Sequence, residues 1–172
     1  YQDSLRSAIK KLKYKWVKEL AEVLADVTIE YWARYQPFVF DQIKKDGGQN
    51  WVVVPVPLFW WRENDRGYNQ SAEIGRLLVQ KLGLEYCELL KRTRHTKPQA
   101  KLKSKDRHQN IRNAFELDSS VASPASGVAS LLQNDKVLLV DDVWTTGSTL
   151  RECCYILKRN GAKKVWALTL AR

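Results

Sequence analysis

Four consecutive apolar residues, Val137-Leu138-Leu139-Val140, run straight into two carboxylates, Asp141 and Asp142. A turn of small and hydroxyl residues follows: Thr145, Thr146, Gly147, Ser148 and Thr149. An unbroken apolar run bounded by turn residues reads as a strand buried on both faces, the pattern of a parallel sheet. Behind it a helix is expected over 148–160, with Leu150, Cys154 and Leu157 inward and Gly161 closing it. A strand that ends on two acids and turns into a helix N-terminus suits a phosphorylated sugar. The turn's N–H groups and the helix dipole favour phosphate. Ionised carboxylates accept hydrogen bonds from sugar hydroxyls or bind a hydrated Mg²⁺. A Walker-type phosphate loop fits less well, because no Gly-Lys-Ser/Thr ends the turn.

The rest of the chain repeats the strand–helix rhythm. Residues 51–54 form a second apolar run that enters Pro55-Val56-Pro57-Leu58. Short strands are expected over 85–90 and 114–117, and a final one over 165–170. A helix over 71–82 carries Ile74, Leu77, Leu78 and Leu82, with Asn69 or Ser71 capping it and Gly83 stopping it. Strands alternating with helices imply an α/β fold, a doubly wound, mainly parallel sheet flanked by helices. Ligands in such sheets bind beyond the carboxyl ends of the strands. Residues 55–58 and 141–149 both fall there.

The length suits a single domain, 1–172, with an N-terminal helical segment over 1–50 and an α/β core over 51–172. In the first segment a helix is expected over 4–32. Its packed stripe is Leu5, Ile9, Leu12, Trp16, Leu20, Val23, Val27 and Tyr31, with lysines on much of the other face. Pro37 and the Asp46-Gly47-Gly48 turn end this region.

A net charge of +10 favours polyanionic partners: a pyrophosphate-bearing substrate, nucleic acid or an acidic surface. The charge concentrates in one stretch: Lys91, Arg92, Arg94, Lys97, Lys101, Lys103, Lys105, Arg107 and Arg112, opposed only by Asp106. It links two core strands that a short connection would join. Such a loop can close over an anionic centre or track a nucleic-acid backbone. Cys87, Cys153 and Cys154 lack metal-ligand spacing, so free thiols in a reducing cytosol are expected and no metal site is assigned. No signal peptide opens the chain. The longest apolar run, 51–61, is too short to span a bilayer and is broken by Pro55 and Pro57. A soluble cytoplasmic protein is expected. The first residue is Tyr1 rather than Met, and an upstream segment is expected.

Residues 137–149 resemble the phosphoribosyl-pyrophosphate (PRPP) signature of type I phosphoribosyltransferases: an apolar strand, two acids and a Thr-Gly-Ser/Thr loop. Arg66-Gly67-Tyr68-Asn69-Gln70 narrows the resemblance to the ComF branch, associated with bacterial competence and DNA uptake. Leu12-Lys13-Tyr14, the series Thr96, Gln99, Leu102, Arg107, Asn110 and Phe115, and the ending Leu170-Ala171-Arg172 are similar to that branch's landmarks. Many ComF proteins carry a four-cysteine zinc module, and this sequence has none.

The resemblance implies the type I phosphoribosyltransferase fold and PRPP bound with Mg²⁺. Thr145, Thr146, Gly147, Ser148 and Thr149 would hold the 5-phosphate, and Asp141 and Asp142 the ribose hydroxyls as the catalytic acids. Val56, Pro57, Leu58 and Arg66 would hold the pyrophosphate, through backbone N–H groups in the loop. Arg94, Lys97, Lys101, Lys103, Lys105 and Arg107 would form a flexible basic loop over the reacting centre, with single-stranded DNA as a further partner. Other competence proteins are implied as partners. Purine-salvage relatives place an acid where this chain has Thr145, so transfer to hypoxanthine or guanine is not expected. Transfer to an unknown nitrogen acceptor, a PRPP-sensing regulator without turnover, and a single-strand DNA-binding component all stay open.

Overall fold

The computed structural model describes residues 7–9, 11, 18–96, 109–121 and 136–171. Its elements in chain order are α1 (Lys18–Tyr35), α2 (Pro37–Lys45), β1 (Trp51–Pro55), α3 (Trp60–Arg66) and α4 (Gln70–Leu82). There follow β2 (Glu85–Tyr86), β3 (Leu90–Arg92), β4 (Phe115–Leu117), β5 (Lys136–Val143), α5 (Ser148–Arg159) and β6 (Lys164–Ala171).

The main sheet has the order β2-β1-β5-β6, and every pairing in it is parallel. Its two central strands explain the unbroken apolar runs. Side chains of a strand alternate between faces, and here both faces are covered. Val52, Val54, Val137 and Leu139 join a core with Leu150, Cys153 and Leu157 of α5 and with Leu90 and Phe115. Trp51, Val53, Leu138 and Val140 join the opposite core, built on α1, α2 and α4. The doubly wound, mainly parallel architecture with an N-terminal helical segment is as expected. A separate antiparallel pair, β3–β4, stands beside it.

Several expectations are corrected. The stripe of α1 lies on a different face: Ala21, Leu24, Ala25, Thr28 and Trp32 are buried. Val23, Val27 and Tyr31 are more than half exposed. Small residues at 21, 25 and 28 let α1 pack closely against its neighbours, which a row of Val and Tyr would hold off. Lys81 of α4 pairs with Asp26 of α1 at 2.7 Å. Of the remaining stripe, Leu5, Leu12 and Trp16 lie outside the described residues, whereas Ile9 is buried. Pro37 opens a helix rather than ending one, since the first helical position needs no N–H donor. Residues 60–66 form a helix that the apolar run disguised. In α5 it is Cys153 that is buried at 0% exposure, and Cys154 is half-buried. Spacing of three, then four, puts Leu150, Cys153 and Leu157 on one face.

The expected caps of α4 hold. Asn69 caps α4, its side chain accepting from Ser71 N–H at 3.0 Å, and Gly83 ends it with φ +66°. The three cysteines are free. Among the described residues, no helix is long and apolar enough to cross a membrane.

Candidate functional site

The register brings the two expected loops together. Pro55 at the end of β1 lies opposite Val140 of β5. Val56 N–H then donates to Val140 O at 2.8 Å, one residue before Asp141. Residues 56–58 and the acids of β5 are therefore neighbours at the carboxyl edge of the sheet.

On the β5 side, the backbone makes the site almost alone. Trp144 N–H donates to Ala171 O at 2.8 Å, which pins the start of the turn to β6. Gly147 adopts φ +72° and serves as N-cap of α5. A Cβ there would also sit 2.8 Å from the Trp144 ring, so glycine is required twice over. As the N-cap, Gly147 brings no side-chain cap of its own. Its first N–H groups have no intrahelical acceptors, and the positive end of the dipole faces the turn. Thr146 and Ser148 share a hydroxyl–hydroxyl hydrogen bond of 2.7 Å. Ser148 is buried, Thr149 half-buried and Thr145 exposed. Asp141 Oδ1 accepts from Asp142 N–H at 2.9 Å and from the Ser71 hydroxyl at 3.4 Å.

On the β1 side the donors are fewer than the sequence suggested. Pro57 has no N–H, and that of Val56 is committed to Val140. Of residues 56–58, Leu58 is left to offer an amide. Arg66, in the last turn of α3, donates through Nη1 to Gln70 Oε1 at 3.0 Å. Asn69 Nδ2 donates to Val56 O at 3.1 Å. Three consecutive polar residues at the start of α4, Asn69, Gln70 and Ser71, are buried. From the sequence, Asn69 and Ser71 read only as caps, and Gln70 carries no role in the site. A run of amide and hydroxyl residues where a helix enters a core is the signal that points to them.

A second cluster lies beside this loop, and of its members the sequence reading gave a role only to Arg92, as part of the basic stretch. Phe59 bridges to Arg92 of β3. Arg62 Nη2 donates to Thr96 O at 2.9 Å, and Arg92 Nη2 donates to the Thr96 hydroxyl. Thr96 itself is 3% exposed. The Arg92 guanidinium lies over the Phe115 ring, 5.2 Å from its centroid. Burial and the Arg62 charge push Arg92 down to about 10, while Cys153 and Asp141 partly oppose the fall. It stays charged at neutral pH. Two guanidiniums sharing one threonine repel each other, and a bound anion relieves that repulsion.

Arg94 joins the two described ends of the basic stretch. Its Nη2 donates to Asn110 O at 3.1 Å and Arg112 O at 2.7 Å, across the base of the loop. Lys97, Lys101, Lys103, Lys105 and Arg107 lie outside the described residues. Exposed Trp60 and Trp61 flank this edge. The His95 ring meets Phe59 at 5.4 Å and Trp61 at 6.3 Å, both edge to face.

Among the described residues, no group of three His, Cys, Asp or Glu side chains could hold a metal ion. The adjacent carboxylates of Asp141 and Asp142 offer oxygen ligands of the kind that suit a hydrated Mg²⁺ ion.

Residues 69–172 match the phosphoribosyl transferase domain. Competence protein F of Haemophilus influenzae is 38% identical over 122 residues, covering 70% of this chain and 50% of that protein. DNA utilization protein YhgH of Escherichia coli K12 is 38% identical, over 67% of this chain and 48% of that protein. The chain spans about half the length of these curated relatives. Among solved structures, the allosteric regulatory enzyme of purine biosynthesis is similar at a TM-score of 0.45 and 18% identity, over 88% of this chain and 26% of that one. The chain belongs to the phosphoribosyl transferase domain family, with ComF-type competence and DNA-utilization proteins as its relatives.

Proposed function

We propose that this protein binds PRPP with Mg²⁺ and transfers its phosphoribosyl group to a nitrogen acceptor. The observation that carries this reading is the glycine-opened N-terminus of α5, directly behind two acids and beside the loop at 56–58. The 5-phosphate takes the turn at 145–149, where N–H groups and hydroxyls converge. Asp141 and Asp142 take the ribose hydroxyls. The pyrophosphate lies along 56–58, with Arg66, Arg62 and Arg92 supplying positive charge. Mg²⁺, where bound, neutralises charge on the pyrophosphate.

Displacement at the anomeric carbon breaks its bond to the pyrophosphate oxygen and forms one to the acceptor nitrogen. Positive charge develops on the ring, and the two acids beside it stabilise that charge. Thr145 is a poor general base, so an acceptor that arrives nucleophilic is favoured over a free purine. The relatives' names link them to competence and DNA utilization. We place this protein in the cytoplasm, acting in the handling of incoming DNA, alongside other competence proteins.

Calorimetric titration with PRPP, with and without Mg²⁺, tests the reading. Saturable binding that weakens in EDTA is the expected result, and absence of binding in both conditions removes it. Pyrophosphate release in the presence of nitrogen acceptors then separates a transferase from a sensor.

A second reading draws on Trp60 and Trp61, which are 61% and 54% exposed beside Arg62 and His95. Aromatic faces next to cations suit the bases and phosphates of single-stranded DNA. Replacing both tryptophans by Ala should weaken single-strand binding. Replacing Lys97, Lys101, Lys103 and Lys105 by Ala should flatten the log–log salt slope by about 0.7 for each phosphate that is no longer neutralised.

A further inference from the structure

The start of α4 buries Asn69 at 7% exposure, Gln70 at 1% and Ser71 at 3%. Burying polar side chains is unfavourable unless each is satisfied, and an apolar helix entry would fill the same space without that requirement. The partners these residues choose are informative. Asn69 uses both ends of its amide. Its Oδ1 accepts from Ser71 N–H at 3.0 Å, which caps the helix. Its Nδ2 donates to Val56 O at 3.1 Å. Val56 is thereby held from two sides, because its own N–H is fixed to Val140 O at 2.8 Å. The Ser71 hydroxyl reaches Asp141 Oδ1 at 3.4 Å, and Asp142 N–H holds the same oxygen at 2.9 Å. Gln70 Oε1 receives Arg66. One helix entry therefore touches the loop at 56, the acid at 141 and the arginine at 66.

We infer that Asn69 and Ser71 are positioning residues that fix the pyrophosphate loop and the ribose-binding acid relative to each other. This rests on the PRPP reading above. The Asn69 amide keeps the Val56 carbonyl turned to the helix, so that the backbone from Leu58 onward is presented to the pyrophosphate. The Ser71 hydroxyl steadies Asp141 for the ribose. The two arms act on different parts of one ligand, so their losses should be separable.

The experiment uses the full chain and three probes: PRPP with Mg²⁺, pyrophosphate with Mg²⁺, and ribose 5-phosphate. Asn69→Asp keeps the helix cap and removes the donor to Val56. Asn69→Ser does the same without adding a buried charge. Asn69→Ser should melt near the wild-type temperature, and Asn69→Asp below it, because its buried carboxylate faces the Val56 carbonyl. Both should bind PRPP and pyrophosphate about tenfold more weakly, with ribose 5-phosphate unchanged. Ser71→Ala should show the reverse pattern, weakening ribose 5-phosphate and PRPP but sparing pyrophosphate. Wild-type affinity for pyrophosphate in a folded Asn69→Ser protein would overturn the inference and leave the PRPP reading standing. So would an equal loss for all three probes in every variant, which would mark these residues as structural. Failure of the wild-type protein to bind PRPP would instead remove the reading on which the inference rests.

Discussion

The two sides of the site are built by different means. The β5 side, 141–149, is a local structure. Its strand, acids, glycine turn and helix start are consecutive in the chain, and the contacts that shape it are mostly between near neighbours. The β1 side, 56–71 with 92–96, is assembled across the fold. Asn69 reaches back to Val56, Arg62 reaches forward to Thr96, and Ser71 reaches Asp141 seventy positions away. A phosphate site can be made from one turn because backbone N–H groups and a helix dipole are present in any sequence that adopts it. The pyrophosphate site proposed at 56–58 cannot, because prolines and the β-ladder leave few amides in its loop. Side chains from several elements replace them.

This contrast predicts graded effects. Replacing Asp141 and Asp142 by Asn should have the largest, abolishing PRPP binding while the fold stays intact. Retained affinity would show that the acids do not read the ribose. Gly147→Ala comes next. It places a Cβ in a left-handed conformation and against Trp144, costing about 1–2 kcal/mol of stability. Affinity for the 5-phosphate should fall with it, read as weaker ribose 5-phosphate binding and a lower melting temperature.

Arg92→Gln should act on the other side, lowering affinity for pyrophosphate severalfold and sparing ribose 5-phosphate. An equal loss for both would erase the distinction between the two sides. The smallest effect belongs to Cys153. Burial and the nearby Asp141 carboxylate hold its thiol well above the ordinary range. A depressed thiolate population makes it slow to alkylate, so it should stay unlabelled at mildly alkaline pH until the protein unfolds. Rapid labelling of the native protein would show that the core behind Asp141 opens.

Legibility in the sequence follows the same division. The runs 51–54 and 137–140 announce central strands because both sheet faces are covered, so no polar alternation interrupts them. The acids and the Gly147 turn are visible because they are contiguous. The helix at 60–66 is not, since its two exposed tryptophans close an apolar run and the charged and amide residues at 62–66 carry no apolar stripe. The packed face of α1 is misleading for a related reason. Periodicity counts large apolar residues, but close helix packing selects Ala21, Ala25 and Thr28 and leaves Val23, Val27 and Tyr31 outside.

The sequence by itself determined the central parallel strands, the caps of α4 and the acid–glycine turn at 141–149, because each is written in residues contiguous in the chain. Only the tertiary structure decided the β1 side. Asn69, Thr96, Arg62 and Arg92 gain their roles from partners on other elements. A buried amide or guanidinium has no preferred partner until the fold brings one within hydrogen-bonding distance.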